Sequence, residues 1–149
     1  MKKIIILGII CLFVSIGFQP ATANESNLTI RGNFLYVGGS GEGNYTRIQD
    51  AIDNASDGAI IFVYKGIYYE HLKIGKDIDL FGQDKEKTVI DASSTGTAVQ
   101  IGGYVNLSGF TIRNAEIGIG NFILPPPDNI YKFFVFGNII KYNTVGFSF

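Results

Sequence analysis

Residues that form disulfides or bind transition metals are nearly absent from this chain. Its 149 residues include one cysteine, one histidine, one methionine and no tryptophan. The cysteine is Cys11, which lies in a leader-like segment, so the rest of the chain must fold without disulfides. A lone histidine, His71, cannot supply the two or three ligands that zinc or copper needs. We therefore expect no metal and no cofactor.

A dominant charge is also missing. The leader-like segment contains Lys2 and Lys3, and without them 10 basic residues face 13 acidic ones, a net charge near −3. No basic cluster remains, which argues against nucleic acid as a partner. The 19 glycines and 13% aromatic residues, together with little helical periodicity, favour β structure in a single domain.

The first 23 residues have the pattern of a cleavable secretory signal. The basic pair Lys2-Lys3 precedes an apolar run over residues 4–18, and small residues lead to a cleavage site after Ala23. The alternative is an uncleaved membrane anchor, although the run is shorter than the ~20 residues that span a bilayer. The sequence therefore predicts an exported protein that is secreted, periplasmic or held at the cell surface.

An internal repeat is the strongest fold signal in the sequence. An earlier copy fits at an offset of 27, where Ile78, Leu80 and Gly82 align with Val105, Leu107 and Gly109. Short apolar runs between glycine turns, repeated at this period, predict a parallel β-helix in which coils stack on one another. The later copy has an offset of 28: Gly109, Ile112, Ile117, Gly118 and Ile119 return as Gly137, Ile140, Val145, Gly146 and Phe147.

Alternation within the short runs predicts which side chains face inward. These should stack as apolar ladders from coil to coil, and Ile112 should lie directly against Ile140. The predicted inward set is Ile61, Val63, Leu72, Ile74, Ile78, Leu80, Val89, Val99, Ile101, Val105, Leu107, Phe110, Ile112, Ile117 and Ile119.

One capping helix is predicted, over residues 46–57. Thr46 and Gln49 stand at capping-box spacing, and Gly58 follows the last turn. Because the helix has a single apolar face, we expect it to cover the open end of the solenoid. That face comprises Ile48, Ala51, Ile52 and Ala55.

The predicted organisation has three parts. Residues 1–23 are the signal, residues 24–44 hold a strand over 28–37 and a glycine-rich loop, and residues 45–149 form the β-helix. The loop does not open a helix, so it lacks the context of a phosphate-binding fingerprint. Three prolines within 124–128 mark an inserted loop outside the sheets.

Residues 45–114 resemble the opening coils of the pectin-lyase-like superfamily of right-handed parallel β-helices. The resemblance implies an all-β fold, a right-handed parallel β-helix with a short N-terminal capping helix. Residues 143–147, Asn-Thr-Val-Gly-Phe, are most similar to the repeats of NosD-like, or right-handed β-helix repeat, proteins. The segments that carry the resemblance are Tyr45–Ile52, Ile61–Glu70, Ile78–Gly82, Thr88–Asp91 and Val105–Asn114.

The N-terminal coils are also similar to pectin methylesterases. That resemblance implies an enzyme that acts on methylated polygalacturonate through two aspartates, with glutamine and arginine helpers, from coils just past Asn114. This sequence departs there, since residues 115–121 read Ala-Glu-Ile-Gly-Ile-Gly-Asn and Asp128 is the only acid beyond them. The acid, base and nucleophile roles are therefore unfilled. The copper role attached to the NosD name likewise finds no ligands here.

Several side chains are candidates for a site, each with a plainer structural interpretation. His71 beside Glu70 could mark a metal or sugar site, or a solvent-facing corner. Corner asparagines, Asn114 and Asn143, are expected to hydrogen-bond local backbone. The remaining candidates are Asp91, Arg113 and Glu116 as an outer polar cluster or solvated surface, Asp77, Asp79 and Asp84 as a weak calcium site, and Tyr36, Tyr45, Tyr64, Tyr68, Tyr69 and Tyr104 as sugar-stacking platforms.

The sequence thus predicts an exported, non-catalytic β-helix repeat module with a surface-binding or structural role and carbohydrate as its expected ligand. Polysaccharide or cell-surface components are the expected partners. The alternative is a carbohydrate-active enzyme, esterase- or lyase-like, whose catalytic coils are missing or degenerate. The chain stops in mid-coil after a phenylalanine-rich stretch, residues 133–149. We expect this end to be covered by further coils, or else by another copy of the chain.

Overall fold

The computed structural model describes residues 33–121 and 133–148. The predicted signal over residues 1–23, the first half of the predicted strand over 28–37 and the proline-containing loop lie outside these residues. Among the described residues, no helix is long and apolar enough to cross a membrane.

The described residues form thirteen short strands and one helix. In chain order they are β1 (Phe34–Val37), α1 (Ile48–Asn54), β2 (Ala59–Val63), β3 (Gly66–Tyr68), β4 (Leu72–Ile74), β5 (Ile78–Gly82), β6 (Thr88–Asp91), β7 (Thr97–Ile101), β8 (Val105–Ser108), β9 (Thr111–Arg113), β10 (Ile117–Asn121), β11 (Phe133–Val135), β12 (Ile139–Lys141) and β13 (Val145–Ser148).

The strands wind into three parallel sheets. Sheet A has the order β1-β2-β5-β8-β11, sheet B has β3-β6-β9-β12, and sheet C has β4-β7-β10-β13. From β2 onward, each strand pairs with the strand three places later in the chain, so one coil supplies one strand to each sheet. The result is a right-handed parallel β-helix of about four turns with one short helix. The predicted fold class is confirmed.

Register explains the repeat in the sequence. Ile78 and Leu80 pair with Val105 and Leu107, and Ile112 pairs with Ile140, as predicted. The first coil is shorter, since Ala59 pairs with Ile78 only 19 residues later. A sequence repeat at a fixed offset requires coils of equal length. The first coil has the structure of a repeat unit, but its shorter length hides it from the sequence comparison.

Two stacked glycines show why this residue recurs at one corner. Gly82 ends β5 and Gly109 directly follows β8 in sheet A, and a Cβ atom on either would collide with the carbonyl oxygen of the other. Gly109 also has φ +81°, a conformation that costs a non-glycine residue free energy. Close approach of successive coils therefore selects glycine at both positions.

The core is one continuous column of buried apolar side chains inside the three sheets. Two predicted members, the buried Val89 and the half-buried Ile117, lie outside this cluster. Val89 pairs with Thr111 and Ile67 on the other face of sheet B, while its neighbour Ile90 joins the inward ladder with Ile112. Ile117 is half-buried and outside the core cluster. In β6 the adjacent residues Val89 and Ile90 are both apolar, so the sequence does not show which of them faces inward, and the prediction chose the wrong one.

Helix α1 caps the column, as expected, but it is shorter than predicted and is held differently. It packs against β1, β2 and β4, with Ile48, Ala51 and Ile52 buried. The capping box is absent, because the N-cap residue is Arg47 and no side chain of the helix caps its own first turn. Gly58 lies beyond the helix in a turn with φ +80° and does not end it.

The first coil, which contains β2, β3 and β4, supplies both caps of α1. The Glu70 carboxylate, only 6% exposed, accepts hydrogen bonds from the backbone N–H groups of Ile48 (2.9 Å) and Gln49 (3.0 Å). The Lys76 ammonium donates to carbonyl oxygens at the other end, those of Asp53 and Ala55 at 2.7 Å and Ile52 at 3.1 Å. Each charge matches the sign that the helix dipole favours at its terminus. Two residues that flank β4 thus clamp the helix onto the solenoid.

Loss of the stacked pair tests the core. We expect Ile112→Ala to lower the free energy of unfolding by about 2–5 kcal/mol, because it leaves a cavity beneath Ile140. Ile67→Ala, on the exposed side of sheet B, is the matched control and should change stability by less than about 1 kcal/mol. Urea denaturation measures both, and equal midpoints for the two variants would contradict the stacking.

Removal of the clamp charges tests the helix caps. We expect Glu70→Gln to lower the free energy of unfolding by about 1–2 kcal/mol, because a buried helix N-terminus loses one of its two acceptors. Lys76→Met should cost roughly 1 kcal/mol at the other end. Glu116→Gln, at an exposed corner, is the control and should be neutral. Unfolding curves for Glu70→Gln and Glu116→Gln that coincide would rule out the clamp.

Candidate functional site

The outer surface of sheet A carries the candidate site. Strands β1, β2 and β5 point one set of side chains into the core and the alternate set outward. In-register pairing aligns the outward side chains in two rows along the solenoid axis, with neighbouring strands about 4.8 Å apart. One row is Phe34, Ile60, Asp79, Asn106 and Phe134, and the other is Tyr36, Phe62, Phe81 and Ser108.

The first three strands make this surface aromatic. We call the set Phe34, Tyr36, Ile60, Phe62, Tyr64 and Phe81 the aromatic face. Phe34 is 51% exposed and Tyr36 43% exposed. Three of its rings contact one another. The Phe62 and Tyr64 rings are edge-on with their centroids 5.2 Å apart, and the Tyr36 centroid lies 6.5 Å from that of Phe62 and 6.4 Å from that of Tyr64. Such contacts hold the rings in fixed orientations without burying them.

The glycine-rich loop supports the aromatic face. An added Cβ atom at Gly39 would lie 2.9 Å from the Tyr64 ring, so the loop backbone packs directly on that ring. Asn44 closes the loop by donating from Nδ2 to the Gly38 carbonyl at 2.6 Å. Tyr68 lies beneath and donates its hydroxyl to the Tyr64 carbonyl at 2.8 Å. Tyrosine packing therefore requires glycine at Gly38 and Gly39.

Burial affects the hydroxyl of Tyr68. Desolvation in this position, and to a smaller extent the negative charge of Glu70, raises the pKa of Tyr68 above its ordinary value. The phenol therefore stays neutral and acts as a fixed hydrogen-bond donor beneath the loop.

A cleft adjoins the aromatic face. It is a shallow depression of about 180 Å³ lined by Gly58, Asp77, Ile78, Asp79, Tyr104 and Asn106. Asn106 donates from Nδ2 to Asp79 Oδ1, and Asp77 Oδ1 accepts a hydrogen bond from the Tyr104 backbone N–H at 2.9 Å. Beyond the cleft the same row of sheet A ends on Phe134, which is 64% exposed. Along the solenoid axis, the outer surface therefore passes from the aromatic face to the polar residues Asp79 and Asn106 and then to the exposed ring of Phe134.

The six candidate tyrosines divide into different environments. Tyr36 and Tyr64 belong to the aromatic face, and Tyr104 lines the cleft. Tyr69 is exposed at a separate corner. Tyr45 packs against the core, and Tyr68 is buried, so these two cannot serve as stacking platforms.

Three phenylalanines of the aromatic face, Phe34, Phe62 and Phe81, are absent from the sugar-stacking side chains that the sequence predicts. The signal that marks them is period-two alternation. Phe62 lies between the inward residues Ile61 and Val63, and Phe81 follows the inward Leu80. An aromatic residue at an outward strand position is therefore the feature to seek, whichever ring it carries.

The acids proposed for calcium are not brought together as one site. Asp77 and Asp79 share the cleft, but Asp84 lies past the far end of β5, where its Oδ1 accepts from the Glu86 backbone N–H at 3.0 Å. Within residues 33–121 and 133–148, no three histidine, cysteine or acidic side chains cluster in a way that could hold a metal ion.

His71 occupies a solvent-facing corner. Its Nδ1 lies 2.9 Å from the Thr97 carbonyl oxygen and its Nε2 lies 3.3 Å from Thr95 Oγ1. A carbonyl can only accept, so Nδ1 carries the proton and the ring links two neighbouring coils. Glu70, its neighbour in sequence, points to α1 instead.

Asp91 and Arg113 form an ion pair, so of the two alternatives given for this group the polar cluster is correct for these two residues and the solvated surface is wrong for Asp91. Arg113 Nε lies 2.8 Å from Asp91 Oδ2, and Asp91 is only 4% exposed. Asn114 Nδ2 donates to the same oxygen at 2.9 Å, and the Ser93 backbone N–H donates to Oδ1 at 3.0 Å. Glu116 is exposed and forms no ion pair among the described residues. The sequence could not show that the adjacent coil places Arg113 directly over Asp91.

The environment of Asp91 lowers its pKa. Burial alone would raise the pKa, but hydrogen bonds from Ser93, Arg113 and Asn114, together with the Arg113 charge, outweigh it and hold the pKa below the ordinary value. The carboxylate is therefore ionised and serves to join two coils.

The corner asparagines act between coils. Asn143 accepts from the Ala115 backbone N–H at 2.9 Å and donates to the Ile112 carbonyl at 3.1 Å, so it bonds backbone of the preceding coil, not local backbone. Asn138 repeats the pattern with Phe110 and Leu107. Asn114 differs, since its side chain bonds the Asp91 carboxylate. Asn138 and Asn143 thus connect the last described coil to its neighbour, and Asn114 connects the two coils before it.

Comparisons of the chain with protein-family models, with curated proteins and with solved structures found no match. The coil geometry itself shows a parallel β-helix of about four turns.

The Asp91 network makes stability depend on pH. Its folded-state pKa is lowered, so the carboxylate stabilises the fold above the unfolded-state value of about 4, and this contribution is lost as the pH falls through the folded-state pKa. We expect Asp91→Asn to lower the free energy of unfolding by about 1–3 kcal/mol at pH 7, with the gap to the wild type narrowing below pH ~4. Urea denaturation across pH measures the gap. A gap that stays constant down to pH ~2 would contradict this role.

Proposed function

We propose that this chain is an exported, non-catalytic β-helix module that binds polysaccharide through its aromatic face. The single observation that carries the proposal is the in-register alignment of outward aromatic residues on β1, β2 and β5. Solvent-exposed apolar patches of this kind, bordered by polar groups, mark interaction sites in soluble proteins.

The arrangement suits an extended sugar polymer. The apolar face of a pyranose ring packs on aromatic rings, and its hydroxyls need polar partners at the side. Tyr36 and Phe62 provide rings, while Asp79, Asn106 and Ser108 provide polar groups farther along the same two rows. A chain laid parallel to the solenoid axis would contact both kinds of surface.

The cleft supports a binding role over a catalytic one. An esterase or lyase of the alternative class needs paired carboxylates with a basic helper. Asp77 and Asp79 line the cleft, but its described lining residues include no lysine, arginine or histidine. A binding module needs no such helper, only groups that hold a sugar in place.

Family membership is part of the same proposal. We place the module with the NosD-like right-handed β-helix repeat proteins of the pectin-lyase-like superfamily, on the segments in 45–114 that resemble its opening coils. The parallel coils and the helix cap are consistent with that placement. Export is proposed from the leader pattern of residues 1–23.

Retardation in polysaccharide-containing native gels tests the proposal. The panel contains soluble glucans, mannans, xylans and galacturonans. We expect retention by at least one of them, reduced at least tenfold in the double variant Tyr36→Ala/Phe62→Ala. Tyr69→Ala, which removes an exposed ring outside the aromatic face, is the matched control and should bind as the wild type does.

Thermal melts of the same proteins separate lost binding from lost folding. Retention of the wild type by no member of the panel, or equal retention of wild type and a folded Tyr36→Ala/Phe62→Ala variant, would refute the proposal.

A further inference from the structure

We infer that the aromatic face selects uncharged polysaccharides and rejects polyuronates, an inference that rests on the proposed function. The ligand class implied by the pectin-lyase-like resemblance is the acidic polymer polygalacturonate or its ester. The charges around the aromatic face favour only chains whose carboxyl groups are absent or esterified.

Sheet A carries almost no charge. Across β1, β2, β5, β8 and β11, the only side chain with a formal charge at neutral pH is Asp79. It lies in the outward row between Ile60 and Asn106. Among the described strand residues, a ligand that follows this row therefore meets one negative group and no positive one.

The cleft adds to the negative potential. Asp77 lines it beside Asp79, and the Asp77 backbone N–H donates to Asp57 Oδ1 at 3.1 Å, which brings a third carboxylate close. Lys76, the nearest cation in sequence, has its ammonium bonded to the carbonyls at the end of α1. Its three donors are thus occupied in capping the helix, which leaves none to pair with a uronate carboxylate.

Uncharged sugars gain from the same groups. A carboxylate accepts hydrogen bonds from hydroxyls, and charge-assisted bonds of this kind are stronger than neutral ones. Asp79 Oδ1 accepts from Asn106, and its second oxygen has no donor among the described residues. A sugar hydroxyl can donate to that oxygen, whereas a uronate carboxylate brings only acceptors and a like charge.

The magnitude of the discrimination follows from the Coulomb interaction. Two like charges about 4 Å apart at a wet surface repel enough to weaken binding roughly five- to tenfold, and salt screens the effect within a Debye length of ~8–10 Å. A polyuronate that places one carboxylate near Asp79 and another near Asp77 should bind at least tenfold more weakly than an uncharged analogue at low salt.

Pairs of polysaccharides that differ in their carboxylate content isolate the effect of ligand charge on binding. One pair is fully methyl-esterified galacturonan against polygalacturonate, and the other is hydroxyethyl cellulose against carboxymethyl cellulose. In gels at low salt, we expect the wild type to be retained at least tenfold more strongly by the uncharged member of a pair. The ratio should shrink in 0.5 M NaCl and in the variant Asp77→Asn/Asp79→Asn. Lys141→Gln, a charge change at an exposed position of β12 in sheet B, is the control and should leave the ratio unaltered.

Equal or stronger retention by the charged member of either pair would overturn the inference, as would a ratio that neither salt nor Asp77→Asn/Asp79→Asn changes. Retention by no member of either pair would overturn it too. The proposed function would survive those results if any polysaccharide were still retained in a Tyr36- and Phe62-dependent manner. It would fail separately if the whole panel were negative.

Discussion

The backbone pairing of each strand with its counterpart one coil later determines the rest of this structure. Parallel, in-register pairing places the side chain of each strand residue directly beside that of its partner one coil later, on the same face of the sheet. The inward members build the apolar column, from Ile78 over Val105 and from Ile112 over Ile140. The outward members of the same strands build the aromatic rows. Core and candidate site are therefore two faces of one register.

Stacking also explains the polar groups that remain buried. A solenoid has corners where backbone groups leave the sheets, and each must find a partner in the adjacent coil. Asn138 and Asn143 bond backbone of the preceding coil, and Asp91 gathers Arg113 and Asn114 from the next one. Glu70 performs the same task for α1. Side chains that would suggest chemistry in sequence are here used to join neighbouring coils.

How much the sequence could predict follows from the range of each interaction. The fold was predictable because the 27- and 28-residue offsets record the register directly, and the glycines at Gly82 and Gly109 mark coil contact. The caps of α1 were not, because Glu70 and Lys76 lie more than 20 residues from the groups they bond, in a coil of unequal length. The aromatic face was predicted only in part, since Tyr36 and Tyr64 were identified without the phenylalanines that complete the rows.

Disulfide trapping on the aromatic face tests the register most directly. In a chain with Cys11→Ser, the pair Ile60→Cys/Asp79→Cys joins residues that are register partners on β2 and β5. Such neighbours lie within the roughly 4.4–6.8 Å Cα separation that disulfides require. Ile60→Cys/Phe81→Cys is offset by two residues and exceeds that reach. The account predicts rapid closure of the first pair on mild oxidation and free thiols in the second, measured by mass spectrometry. The reverse pattern would contradict both the register and the aromatic rows built on it.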